Sequence, residues 1–349
     1  MNQDKNKTES NIKRIALRLG YIAALFVASI WVYNQWVWPL DRYDHAYFLD
    51  QLVKDQDTSD VIYIGESSNF WSNKDSGDIR EISKMIEHKS GRKVLNLSRS
   101  AYHMGIYRPL FAHFTELKQL KDVILTVNIR TFGPPCVHST IETSLQKDRI
   151  FLKKEMPFLK KMKAVFSLYD NRNEKERDAC MWQNWTHDTL SLYGRVLPHQ
   201  TVKDWCGVTK FPDSLGQEDM PKRVLADHYV KAYGFNLNET NQRIIDLDHI
   251  ALTVSKAKYN LHLLILSENI QWADSLAGSD MANLIRQNRD YIVNRYKGKH
   301  KNVHIIDNLE TVPAQFFGEK DWTTEHYFWQ GRALIADSVV RSIQSLPLQ

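Results

Sequence analysis

Ser67 lies near the end of the run Val61-Ile62-Tyr63-Ile64-Gly65-Glu66-Ser67-Ser68-Asn69, and His326 stands far along the chain in Asp321-Trp322-Thr323-Thr324-Glu325-His326-Tyr327. A serine hydroxyl is a weak nucleophile until a base takes its proton, and histidine is the side chain suited to that task near neutral pH. Asn128 closes the run Val123-Ile124-Leu125-Thr126-Val127-Asn128, and Ala101 closes the loop Asn96-Leu97-Ser98-Arg99-Ser100-Ala101. The backbone N–H groups of Ser67 and the Ala101 region, with the Asn128 amide, are donors of the kind that hold a developing oxyanion. Each residue has a plain structural role when taken singly. Ser67 suits a helix N-cap, Asn128 a turn, and His326 a packed position among Tyr327, Phe328 and Trp329. Their conjunction at the ends of apolar runs points instead to a nucleophile, its base and an oxyanion pocket.

The elements that must position these residues read as an α/β domain. Apolar, β-prone runs at Val61 to Ile64, Lys93 to Leu97 and Val123 to Asn128 alternate with helical spacing at Ile79, Ile82, Met85 and Ile86 and with a helix over about Tyr107 to Leu120. That alternation predicts right-handed crossovers in a parallel sheet, with ligands bound at the carboxyl ends of the strands. It stops between about 133 and 223, where prolines, tryptophans and mixed charge indicate an insertion with helices of its own. It resumes with a helix over Asn241 to Lys258, strands at Leu261 to Leu266 and Val303 to Asp307, and helices over Met281 to Tyr296 and Gly331 to Ile343.

Ahead of this domain, about Leu19 to Leu40 carries no charged side chain, enough for one membrane span. Trp31, Tyr33, Trp36 and Trp38 crowd its far end as an interfacial belt, and Lys5, Lys7, Lys13, Arg14 and Arg18 flank its start, which keeps residues 1–18 cytoplasmic. The expected organisation is therefore a basic tail (1–18), a single-pass anchor (19–40) in the cytoplasmic membrane, a stem (41–60) and an external α/β domain (61–349).

The 349 residues, 43% hydrophobic and 25% charged with a net charge of +5, are globular in character, and no basic run interleaved with aromatics suggests nucleic acid. Cys136, Cys180 and Cys206 cannot pair completely; one disulfide is available, with Cys180 and Cys206 a possible pair. No motif for a metal or an organic cofactor is present, so the expected chemistry uses neither.

The blocks Gly65-Glu66-Ser67, Thr126-Val127-Asn128 and Thr323-Thr324-Glu325-His326 resemble, in order and spacing, those of the SGNH (GDSL-like) hydrolase superfamily. The resemblance covers about Val61 to Arg130 and Asn241 to Ser345, and it implies a three-layer, flavodoxin-like core with Ser67 and His326 as catalytic residues and Ala101 and Asn128 at the oxyanion. Three positions depart from the pattern. Ala101 and Thr126 replace glycines, the former tolerable for a backbone donor if its φ is negative, and Thr323 replaces the aspartate that orients the histidine. Asp321 is then the candidate acid, with Glu325 the alternative and a backbone carbonyl a third arrangement. Membrane-anchored proteins of this kind, similar to alginate O-acetylation factors and D-alanyl transfer proteins, imply a serine acyl-esterase or O-acyltransferase. Its expected substrate is an acylated glycan or envelope polymer, and its expected partner a multi-spanning membrane acyltransferase. The opposing expectation is a catalytically silent envelope protein that binds through the same cleft.

Overall fold

The structure, a computed structural model, describes residues 2–55, 57–72, 77–154, 172–319 and 322–346. It divides into two units, Met1–Asp50 and Gln51–Gln349.

The first unit is helical. Helix α1 (Asn2–Val32) runs into a π-helical turn at Tyr33–Val37 and then into α2 (Trp38–Asp55), which is interrupted at Ala46, where φ is −137°. Within it, Asn11–Leu40 is long and apolar enough to cross a membrane. Leu19, Ile22, Leu25 and Val27 are each about two-thirds exposed, so the apolar character is not explained by burial against the protein's own core. The stretch expected as a stem is helical as far as Asp55.

In the second unit, five strands form one parallel sheet: β1 (Val61–Ile64), β2 (Val94–Asn96), β3 (Asp122–Val127), β6 (Asn260–Ile265) and β7 (Val303–Asp307), in the order β2-β1-β3-β6-β7. Strands β1, β3 and β6 are buried along their whole length, as befits a sheet covered on both faces, and their runs of Val, Ile and Leu supply that burial at about 1.5–3 kcal/mol per side chain. Helix α3 (Ile82–Ser90) places Ile82, Met85 and Ile86 on the same core as Ile335, Val339 and Ile343 of the C-terminal helix α10 (Trp329–Gln344). Further crossovers are supplied by α7 (Gln242–Val254), α8 (Ile270–Ala277) and α9 (Ser279–Tyr296). The expected α/β parallel-sheet class is what the chain adopts, and its strand order is the flavodoxin-like one, with the reversal between β1 and β3.

Two local expectations need correction. The helix expected over Tyr107 to Leu120 is three short turns, Met104–Tyr107, Arg108–Leu110 and Phe111–Phe114, because Pro109 has no N–H to continue a helical ladder. Helix α8, which had no separate sequence signal, follows β6 directly and is capped by the Asn269 side chain, which accepts from the Trp272 N–H at 3.2 Å. The insertion is mainly helical among its described residues, with α4 (Ile141–Phe151), α5 (Glu174–His187), α6 (Met220–Tyr233) and a small antiparallel hairpin, β4 (Ser191–Leu192) with β5 (Arg195–Val196). Its Trp205 is buried and its Trp182 exposed. Cys136, Cys180 and Cys206 are all free.

Candidate active site

The position of Ser67 follows from the end of β1. Glu66 is still extended, and the chain then tightens into a 3₁₀ turn at Ser67–Asn69. Gly65 is required at this bend, since a Cβ there would lie 2.6 Å from the Tyr63 ring and 3.1 Å from the Ser98 hydroxyl. The Gly65 carbonyl accepts from the Arg99 N–H at 3.1 Å and from the Tyr107 hydroxyl, which fastens the β1 tip to the loop after β2.

In that loop the Tyr102 N–H donates to the Arg99 carbonyl at 3.2 Å, closing a turn in which Ala101 has φ +60°. The negative φ that would have made alanine an easy replacement for glycine is therefore not adopted. Alanine occupies a left-handed position at the third residue of a turn, where glycine is usual, at a cost of about 1 kcal/mol.

His326 reaches the same tip from the far end of the chain. Its Nε2 lies 2.9 Å from Ser67 Oγ, across a sequence separation of 259 residues. Three interactions fix its placement. Its own backbone carbonyl accepts from the Gly318 N–H at 2.7 Å, within an antiparallel bridge between Phe317 and Tyr327. The Trp71 indole stacks on its ring, with centroids 5.2 Å apart and planes 9° from parallel. Buried Arg332 of α10 donates to the Trp71 carbonyl, so the C-terminal helix fixes the indole that supports the imidazole. Gly318 is the second essential glycine, because a Cβ there would come within 2.0 Å of the Trp71 ring.

The carboxylate beside the imidazole is Glu319. Its Oε2 is 3.1 Å from His326 Nδ1, at ion-pair distance but with the ring N–H off the line of a straight hydrogen bond. Such alignments commonly tighten only when substrate is bound. The same carboxylate accepts from the Thr324 hydroxyl. Partial burial works to raise the Glu319 carboxyl, but Thr324, His326 and Arg130 outweigh it and hold it below the usual carboxylate range. Among the two acids expected to orient His326, Asp321 lies outside the described residues. Glu325 does not serve: its carboxylate is turned away to Arg130, with Nε donating to Oε1 and Nη2 to Oε2, each at 2.9 Å. Adjacent residues in extended chain point to opposite sides, which is why Glu325 is buried while His326 faces Ser67.

Asn128 ends β3 directly beside the β1 tip, and its Nδ2 donates to Glu66 Oε1 at 2.6 Å. One amide N–H is thereby committed to the residue preceding Ser67. Glu66 is itself buried, and burial, reinforced by the charge of Glu325, pushes its carboxyl up to about 8 against the opposing pull of Arg130 and Asn128. A buried acid held neutral in this way anchors the Asn128 amide without placing a second full charge beside the Glu325 pair. Glu319, Trp71 and the Arg130 to Glu325 pair were not singled out from the sequence. The only sequence signal for Glu319 is its place after Gly318 and the apolar pair Phe316-Phe317, opposite Tyr327-Phe328. Among the described residues no cluster of three or more His, Cys, Asp or Glu side chains is arranged to hold a metal ion.

The fold and site together define an α/β protein with a serine-histidine pair at the carboxyl edge of a parallel sheet. No family model and no curated protein sequence matches the chain. Among solved structures it is distantly similar to Est24, a carbohydrate acetylesterase from Sinorhizobium meliloti, at 7% identity and a TM-score of 0.34, covering 83% of this chain and 100% of that one. It is also distantly similar to the lipase Lip_vut3 from a goat rumen metagenome, at 10% identity and a TM-score of 0.31, covering 82% of this chain and 97% of that one.

Proposed function

We propose that the chain is a membrane-anchored serine acyl-esterase or O-acyltransferase, with Ser67 as nucleophile, His326 as base and Glu319 as the acid that steadies it. The observation that carries this reading is the 2.9 Å separation of Ser67 Oγ and His326 Nε2, which puts an imidazole within proton-transfer reach of a serine hydroxyl at the carboxyl end of a strand. Ser67 Oγ attacks the ester carbonyl as its proton passes to Nε2. The tetrahedral intermediate collapses with cleavage of the bond to the alcohol, which takes that proton from the imidazolium. Water or a sugar hydroxyl then attacks the acyl-serine as its proton passes to His326, and the second tetrahedral intermediate collapses with cleavage of the bond to Ser67 Oγ, which takes that proton back and leaves the imidazole neutral. Glu319 opposes the positive charge that the ring carries between these steps. The N–H groups of Ser67 and of the Ala101 turn, with the free N–H of the Asn128 amide, are the donors for the oxyanion.

An acylated envelope polysaccharide suits this site as substrate. Phe70 and Trp322, about one-third and one-half exposed, stand three residues after Ser67 and four before His326, and offer flat apolar faces for sugar rings. Anchoring through Asn11–Leu40, with the N-terminus inside, keeps the catalytic unit on the outer side of the cytoplasmic membrane, where a multi-spanning acyltransferase is a natural partner. The test is release of acetate from acetylated polysaccharide by the purified full-length chain, compared with Ser67→Ala. Loss of about 10⁴-fold or more is expected. Undiminished release by Ser67→Ala overturns the assignment. Absence of both turnover and acyl-enzyme in folded wild-type protein favours the silent binding protein.

A further inference from the structure

The edge of the sheet opposite the site has a different composition. In a parallel sheet all loops entering the strands lie at the amino edge, and here those loops carry the exposed side chains of Lys118, Lys121, Lys256, Lys258, Lys297 and Lys301. Four of them line a cavity of about 1220 Å³ that also includes Arg92 and Lys93. Among the described residues, no carboxylate lies within ion-pair distance of Lys118, Lys121, Lys256 or Lys258. The acids that are present are mostly engaged: Asp60 and buried Asp122 hold Arg92, Glu116 pairs with Lys154, and Asp55 pairs with Lys93. Asn302 ties these loops into one surface, donating to the carbonyls of Val254, Ala257 and Tyr259.

This edge is also where the chain enters the second unit. Lys93 Nζ lies 3.3 Å from Asp55 at the end of α2 and 2.6 Å from the Thr58 hydroxyl, and β1 begins at Val61. Between the apolar segment ending at Leu40 and the start of the unit at Gln51 there are 11 residue steps, which reach at most about 40 Å. A unit of roughly 300 residues is about 50 Å across. The tether that leads from the apolar segment to this edge is therefore shorter than the unit itself.

We propose that the lysine-rich amino edge docks on anionic lipid headgroups of the membrane that holds the chain's own apolar helix, and so fixes the Ser67 site facing away from the bilayer. Each lysine near an anionic surface gains a modest, additive attraction that falls off within a Debye length. This inference rests on the membrane-anchored reading, and the experiment separates the two. Full-length protein is reconstituted in vesicles of phosphatidylcholine alone or with phosphatidylglycerol, and lysine acylation by an N-hydroxysuccinimide ester is quantified by mass spectrometry. Flotation that survives alkaline carbonate reports anchoring in both lipids; loss of flotation would fail the anchor. With anchoring intact, Lys118, Lys121, Lys256 and Lys258 are expected to react about fivefold more slowly in the anionic vesicles, while Lys203 and Lys222 in the insertion are unchanged. The Lys118→Gln/Lys121→Gln/Lys256→Gln/Lys258→Gln variant should lose the lipid-dependent slowing at Lys297 and Lys301. Equal reactivity in the two lipids overturns the proposal, as does equal protection in phosphatidylcholine vesicles by soluble polyphosphate, which would assign the edge to a polyanion in solution.

Discussion

Ser67 and His326 meet at one point but are delivered by two unlike kinds of structure. Ser67 comes from the tip of a four-residue strand inside the sheet, between β2 and β3, whose burial and register are dictated by its own apolar run. His326 comes from an irregular return, held by a single bridge to Phe317, a stacked indole and an arginine from another helix. The regular half is rigid because it is core; the irregular half is held by a few specific contacts, so single substitutions should harm it selectively.

Adjacent to His326 in space and in sequence respectively, Glu319 and Glu325 separate these effects most sharply. Glu319→Gln should lower acyl-ester turnover by about 10² to 10⁴-fold with little change in stability, because the partly exposed carboxylate serves the imidazole. Glu325→Gln should do the reverse, destabilising the fold by at most about 3–5 kcal/mol in denaturant unfolding, because it leaves half-buried Arg130 without its charged partner. If Glu319→Gln leaves turnover unchanged, the acid lies elsewhere, and Asp321 becomes the residue to replace.

A smaller effect belongs to the strand side. Glu66 titrates near 4.5 when unfolded but is raised to about 8 in the fold, so the folded state binds the proton more tightly across that window. Its contribution to stability is present in full below the unfolded value and is lost as pH rises toward about 8, at no more than about 1.4 kcal/mol per pH unit. Glu66→Gln keeps the acceptor for Asn128 and removes the titration. Melting temperatures of wild type and variant should therefore diverge with rising pH, in the variant's favour; parallel curves would show that Glu66 is not held neutral.

The smallest change concerns the loop after β2. Ala101→Gly should relieve the left-handed alanine and, after the entropy cost of glycine, stabilise the protein by at most about 1 kcal/mol. A destabilised Ala101→Gly variant would mean that the turn is held by contacts of the methyl group.

The same division explains what could be read in the sequence. The parallel sheet, the Ser67 tip, Asn128 and the inserted helices were legible because apolar periodicity and strand-end polarity are local properties. His326 was legible through its spacing from a late helix. Glu319 was not, because its approach depends on a backbone bridge between two short irregular segments, and neither periodicity nor a three-residue spacing marks such a pairing. Trp71 was hidden for a similar reason: its place over the imidazole is set by Arg332 and by the absence of a side chain at Gly318. The positive φ of Ala101 was invisible because alanine gives no sign of a left-handed turn.

Peptide mass mapping after treatment with a fluorophosphonate tests most directly whether the two halves form one working pair. A stable adduct on Ser67 in wild-type protein, absent from Ser67→Ala and slowed by orders of magnitude in folded His326→Ala, is the predicted result. An adduct on another residue, or Ser67 labelling at the same rate without His326, would contradict it.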